Sequence, residues 1–163
     1  LRDALDRIVF ARTYTVGLLD TIDPADWYRM PSEGVTHVAW QVGHLAFSQY
    51  RLCLVRVRGP RPDDDDLIPP AVLRAFGRDS VPDPDPAKGP PPAEVRAAFD
   101  RVHQRVLADL ADFPDPDLDS SINAPHRIVR TKIDALRWCG AHELVHAGQV
   151  ALLRRLFGQK PIW

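Results

Sequence analysis

The chain has 163 residues, enough for one domain with a substantial core and too few for two comfortable ones. Apolar residues make up 45% and charged residues 26%, with a net charge of −1, a balance that suits a globular protein and lacks the basic excess expected of a nucleic-acid binder. Cys53 and Cys139 alone make no disulfide framework, and neither a membrane-spanning run nor a secretory leader is visible, so a cytoplasmic protein with no nucleic-acid and no membrane partner is expected.

In chain order, the first helix is predicted over 1–19, with Leu1, Leu5, Ile8, Val16 and Leu19 at helical spacing and Pro24 beyond its end. A second runs over 36–58, with Thr36 as N-cap and Gly59-Pro60 as its stop. Ten of the chain's 16 prolines then fall between Pro60 and Pro92, a density that forbids a long helix because proline lacks the amide donor and clashes with the preceding turn. This stretch reads as a long ordered crossing with one short helical turn near 71–76, held down by Leu67, Ile68, Val72, Leu73 and Phe76. Pro92 opens a third helix with the stripe Val95, Phe99, Val102, Val106 and Leu110, and Pro114 lies beyond its end. A second proline-bearing loop leads to Thr131, which caps a fourth helix reaching Phe157, with Gly158 beyond it. No segment alternates with period two, so no sheet is expected. The expected fold is all-α, a four-helix bundle with long proline-rich crossing loops, as a single domain over 1–163.

The fourth helix carries "GAHELVHAGQ", which contains H-E-x-x-H. His142 and His146 are four residues apart, so they lie on one helix face and both imidazoles can reach a single ion. On the second helix His44 lies beside the apolar stripe of Val38, Val42, Leu45, Leu52 and Val55, on a face shared with His37, Trp40 and Gln41, and Gly43 leaves room next to it. Facing helices of a bundle present side chains to a shared interior, so one histidine from the second helix and two from the fourth form a candidate three-histidine metal site. Three protein ligands leave a position open for water or substrate, the catalytic rather than the structural pattern. A seam histidine that is merely hydrogen-bonded is the alternative for His44. The zinc-protease reading lacks its third ligand, because Leu152 stands six residues after His146 and the remaining chain holds no Asp or Glu. Glu143 is rotated by about 100° from His142 and could approach the site from the flank.

The segments "VTHVAWQVGHLAFSQ" and "ALRWCGAHELVHAGQVALLRRLFGQKPIW" resemble the DinB/YfiT-like superfamily of four-helix-bundle metalloenzymes. The resemblance spans nearly the whole chain and places the superfamily's three metal histidines on His44, His142 and His146. It implies a divalent ion, with zinc, nickel, iron and manganese all compatible with imidazole. Its characterised members include transferases and isomerases that use bacillithiol, mycothiol or glutathione, and a similar bundle supplies the iron site of sulfoxide synthases. It also implies a homodimer, to which Leu67 and Ile68 could contribute apolar surface.

Other side chains share the ligand face. Gln149 lies three residues after His146, and Cys139, three before His142, is either a further ligand or a small buried residue. Trp40 and Trp138 could wall a pocket, and Gln41 sits beside them. Glu143 and His103 are the candidates for moving a proton. His37 reads as a rim or capping residue, His126 as solvated, and Asp63–Asp66 as a solvated acidic loop rather than a calcium site. Three readings compete: a metal-dependent transferase activating a low-molecular-weight thiol, a metal-dependent hydrolase, and a non-catalytic bundle that binds a metal or a small-molecule ligand.

Overall fold

Prolines, glycines and one capping box mark the helix ends that the sequence announces. The structure, a computed structural model, describes residues 1–162, and Trp163, the end of the expected domain, lies outside the described residues. It contains α1 (Arg2–Leu19), α2 (Val38–Gln49), α3 (Pro70–Phe76), α4 (Pro92–Leu110) and α5 (Lys132–Leu156), with no strand among the described residues. α2 runs on without a break into a π-helical stretch, Tyr50–Arg58, so the long second helix ends at the Gly59-Pro60 stop. Thr131 and Asp134 cap α5 reciprocally, the threonine hydroxyl accepting from the Asp134 amide and the carboxylate from the Thr131 amide. At the other end Gly158 takes a positive φ of 86°, the left-handed conformation glycine adopts without steric cost. The start of α2 differs from expectation. His37, not Thr36, is the cap: its Nδ1 accepts from the Trp40 amide at 3.1 Å, while the Thr36 hydroxyl accepts from Gln41 Nε2.

The bundle is built from two long pairs, α1 along α5 and α2 along α4, with α3 laid on α2. The predicted stripes point inward: Val38, Val42, Leu45, Val95, Phe99, Val102, Val106 and Leu110 are all buried in one core. The proline-rich crossing is ordered by the same force. Leu67, Ile68, Val72 and Phe76 are buried, which offsets the entropy lost in fixing so long a connection. The suggestion that Leu67 and Ile68 supply dimer surface is therefore corrected: both pack into the protomer's own core. Most of the large exposed apolar side chains lie instead on α1 and α5, among them Phe10, Val145, Leu152 and Leu156, with Val81, Ile128 and Ile162 outside the helices. No helix among the described residues is long and apolar enough to cross a membrane.

One polar group joins all four long helices. Arg12 of α1 is 4% exposed and lies over the Phe99 ring of α4. Its Nε donates to Glu143 Oε1 of α5 at 2.8 Å, one terminal nitrogen to the Phe99 carbonyl at 2.7 Å, and the other to Gln49 Oε1 of α2 at 2.7 Å. Breaking a buried pair by removing one partner leaves an uncompensated charge and costs about 3–5 kcal/mol. Arg12→Ala is therefore expected to lower unfolding free energy by an amount of that order in urea titration, with the Arg12→Met/Glu143→Leu double variant recovering much of it. A single-variant loss within experimental error would show that the pair does not hold the helices together.

Candidate metal centre

His44 is placed by a close helix contact. Gly43 lies directly under the Phe76 ring of α3, where any Cβ would collide with that ring. The same approach brings the Phe76 carbonyl to His44, whose Nδ1–H donates to it at 3.2 Å. Nε2 then carries the lone pair, which accepts from the Ser48 hydroxyl at 3.3 Å. Trp40 lies flat against the ring, with centroids 4.7 Å apart and planes 5° from parallel, so the imidazole has little freedom to turn.

His146 is fixed in the same manner. Gln41 Nε2 donates to Thr36 Oγ1 and to Gln149 Oε1, which leaves Gln41 Oε1 to accept from His146 Nδ1–H at 2.5 Å. Its Nε2 therefore also carries the lone pair, 3.1 Å from His142 Nε2. Two nitrogens bound to one ion at about 2.1 Å stand roughly 3.0–3.4 Å apart, so this separation suits a shared ion. One ligating atom from each of His44, His142 and His146 lies within 4.8 Å of the other two, the one such group among the described residues. Hydrogen bonds that fix the far nitrogen of a ligating histidine orient its ring and raise its basicity.

The electrostatics favour neutral rings. Burial, followed by repulsion from His44, lowers the His142 pKa to about 4. Burial, followed by repulsion from His142 and His44, lowers that of His146 to about 3, and burial lowers that of His44. Imidazole must be neutral to bind a metal, so the three rings are in the ligating form at neutral pH.

The remaining sequence candidates divide. Trp138 lines a cleft of about 440 Å³ that opens beside His44 and His142, with Phe47, Ser48 and Leu52 on the same wall. Trp40, Gln41 and Gln149 act through the histidines, by stacking and by the amide chain just described. Cys139 is not among the converging atoms. It is buried next to Cys53, and its hydrogen bond with that residue, reinforced by burial, pushes its thiol well above the ordinary range. The two proton-transfer candidates are corrected as well. Glu143 is 2% exposed, with both carboxylate oxygens committed to Arg12, and His103 Nδ1 accepts from Gln49 Nε2 at 3.2 Å in the same network. Neither lines the cleft. Sequence reasoning missed His126, read as solvated, which instead forms part of the cleft wall with its Nδ1 accepting from the Ile128 and Val129 amides. Nothing in its sequence neighbourhood signals that position.

The described residues form an all-helical bundle in which three convergent imidazoles beside an open cleft could hold a metal ion. A family model described as the DinB superfamily matches residues 7–150, and the chain belongs to that superfamily. Comparison with curated proteins finds no match.

The network around His103 makes stability depend on pH. Burial, and secondarily the nearby Arg12 charge, lowers its pKa from 6.5 to about 4. Between these values the unfolded chain binds a proton that the folded chain does not, so stability falls as pH is lowered through that window. The melting temperature should drop between pH 6.5 and 4 in the wild type, and less steeply in His103→Gln. Identical pH profiles for the two proteins would remove His103 as a source of the slope.

Proposed function

We propose that His44, His142 and His146 together hold one divalent ion and that the chain is a metal-dependent transferase acting on a low-molecular-weight thiol. The observation that carries this reading is the preset orientation of the ligands. Two of the three rings have their Nδ1 protons tied down, to the Phe76 carbonyl and to Gln41, which leaves their Nε2 lone pairs available to a shared ion. Membership of the DinB superfamily is compatible with a metal-binding enzyme. When bound, the ion would supply the Lewis acidity that holds a substrate thiol as its thiolate at neutral pH.

The chain's own side chains complete the picture. The cleft offers no nucleophile of its own among the cysteines, since Cys53 and Cys139 are both buried in the core. That is consistent with a nucleophile that arrives with the substrate. Ser48, whose hydroxyl lies 3.3 Å from His44 Nε2, is placed to hydrogen-bond a molecule held there. Phe47 and Trp138 supply apolar wall that limits water. The protease reading is disfavoured because Glu143, the residue that would have to act as base, is locked onto Arg12.

Elemental analysis of natively purified protein is expected to find one divalent ion per chain. A metal that binds only the folded state raises the melting temperature by mass action. That shift should vanish in His146→Ala, and Gln41→Leu should weaken metal affinity by roughly 10–100-fold, as loss of an outer partner does elsewhere. Equal metal-induced stabilisation of the wild type and His146→Ala would place the ion somewhere else.

Thiol-dependent consumption of an electrophile should be lost in His44→Ala and in His142→Ala while both variants remain folded by circular dichroism. Peptide cleavage that depends on Glu143 would instead revive the protease reading. Metal-loaded protein with no response to any thiol or electrophile would favour a non-catalytic metal-binding bundle.

A further inference from the structure

The cleft beside the histidines has a charge pattern unlike the rest of the molecule. Arg51, Arg56, Arg78 and Arg127 all line it, and no Asp or Glu does. Several arginines elsewhere are set against carboxylates: Arg12 on Glu143, Arg58 on Asp64 and Asp109, Arg96 on Asp20 and Asp100, Arg105 on Asp63 and Asp109, whereas the buried Arg154 donates to the Thr21 hydroxyl and the Lys160 carbonyl. None of the ion pairs among the described residues involves Arg51, Arg56 or Arg127, and Arg78 reaches only the exposed Asp79, at 4.0 Å.

Arg56 is the clearest case. Its residue is 8% exposed, and its terminal nitrogens donate to two neutral carbonyls, of Arg51 at 3.0 Å and Pro125 at 3.0 Å. Its buried Nε–H has no acceptor. Burial, then the charges of Arg51 and Arg78, lower its pKa, so these guanidinium groups lie near enough to repel one another. A buried cation held against two others with no counter-charge is costly unless something negative joins it. The two backbone carbonyls hold the Arg56 group in place, while Arg51 and the exposed Arg78 and Arg127 are free to adjust.

We propose that this arginine cluster is an anion subsite, which takes a carboxylate or phosphate group of a small molecule whose other end reaches His44 and His142 in the same cleft. A cleft of about 440 Å³ has the size of a small-molecule site, and arginine's planar fork matches both oxyanions in a bidentate manner. The identification of that molecule as the substrate rests on the metal-enzyme reading; the anion subsite itself does not.

Succinate and inorganic phosphate contain no thiol, so they test the arginines independently of the metal. Isothermal titration of metal-free full-length protein should detect binding of one or both in the millimolar range, weakening as salt is added. The relative affinity of the two tells carboxylate from phosphate. Arg56→Gln should abolish binding. Because that buried variant could fail to fold, Arg51→Gln/Arg78→Gln is the second test, with a loss of about tenfold or more expected. Lys88→Gln, on the exposed loop, should leave binding unchanged, and His146→Ala should bind anions normally while losing metal. Wild-type protein that binds the anions but takes up no divalent ion would sink the metal reading alone. Absence of binding by both anions, equal binding by the wild type and the double arginine variant, or equal binding of succinate and uncharged succinamide would overturn the subsite.

Discussion

A single guanidinium buried between four helices sets the geometry on which everything else depends. Arg12 reaches Glu143, Gln49 and the Phe99 carbonyl at once, so α1, α2, α4 and α5 cannot rotate independently without stranding a charge in the core. Glu143 immediately follows His142 on α5, and adjacent residues on a helix point about 100° apart. Drawing Glu143 inward to Arg12 therefore turns His142 and His146 toward α2. Gln49 does the corresponding service on α2, five residues beyond His44. The H-E-x-x-H run thus has a division of labour in which the glutamate sets helix azimuth while the histidines turn toward His44, with His142 on the cleft.

Around the three imidazoles the protein removes choice. Burial keeps the rings neutral, and the Phe76 carbonyl and the Gln41 amide set the tautomers of His44 and His146. The Gln41 amide is itself oriented by Thr36 and Gln149. Gly43 is the permissive element, since only the absence of a side chain lets α3 come close enough for its last carbonyl to meet His44. A crossing loop that seems from its proline content to be mere connection therefore contributes a partner to the site and a face to the core.

The cleft combines features that rarely coexist without a ligand: apolar walls, neutral imidazoles and an excess of positive charge in a chain whose net charge is −1. The positive charge is local, drawn from the π-helical end of α2, the segment after α3 and the loop before α5. Its concentration at one end of the bundle, next to the histidines, gives the cleft an electrostatic orientation that the net charge conceals.

Much of the fold was legible along the chain. Prolines 24, 60, 92 and 114, Gly158 and the Thr131 capping box act through local backbone chemistry, and the apolar stripes have helical period, so helix number and most limits follow from near neighbours. The pairing of His142 with His146 is equally local, because four residues return a helix to the same face. The convergence with His44 needed one further assumption, that facing helices share an interior. What sequence could not reveal was which neighbours would lie across the gaps. Glu143 looked free to flank the metal and is instead bound to a residue 131 positions away. His126, Arg78 and Arg56 belong to three separate segments that meet only when the loops close over α2 and α5. Leu67 and Ile68 fitted both an anchor for the crossing and a dimer surface, and they became core. Local propensity and helical period are encoded in adjacent residues, whereas the partner of a buried charge, the burial of a loop and the walls of a cleft depend on distances between remote segments, and these exist only once the chain has packed.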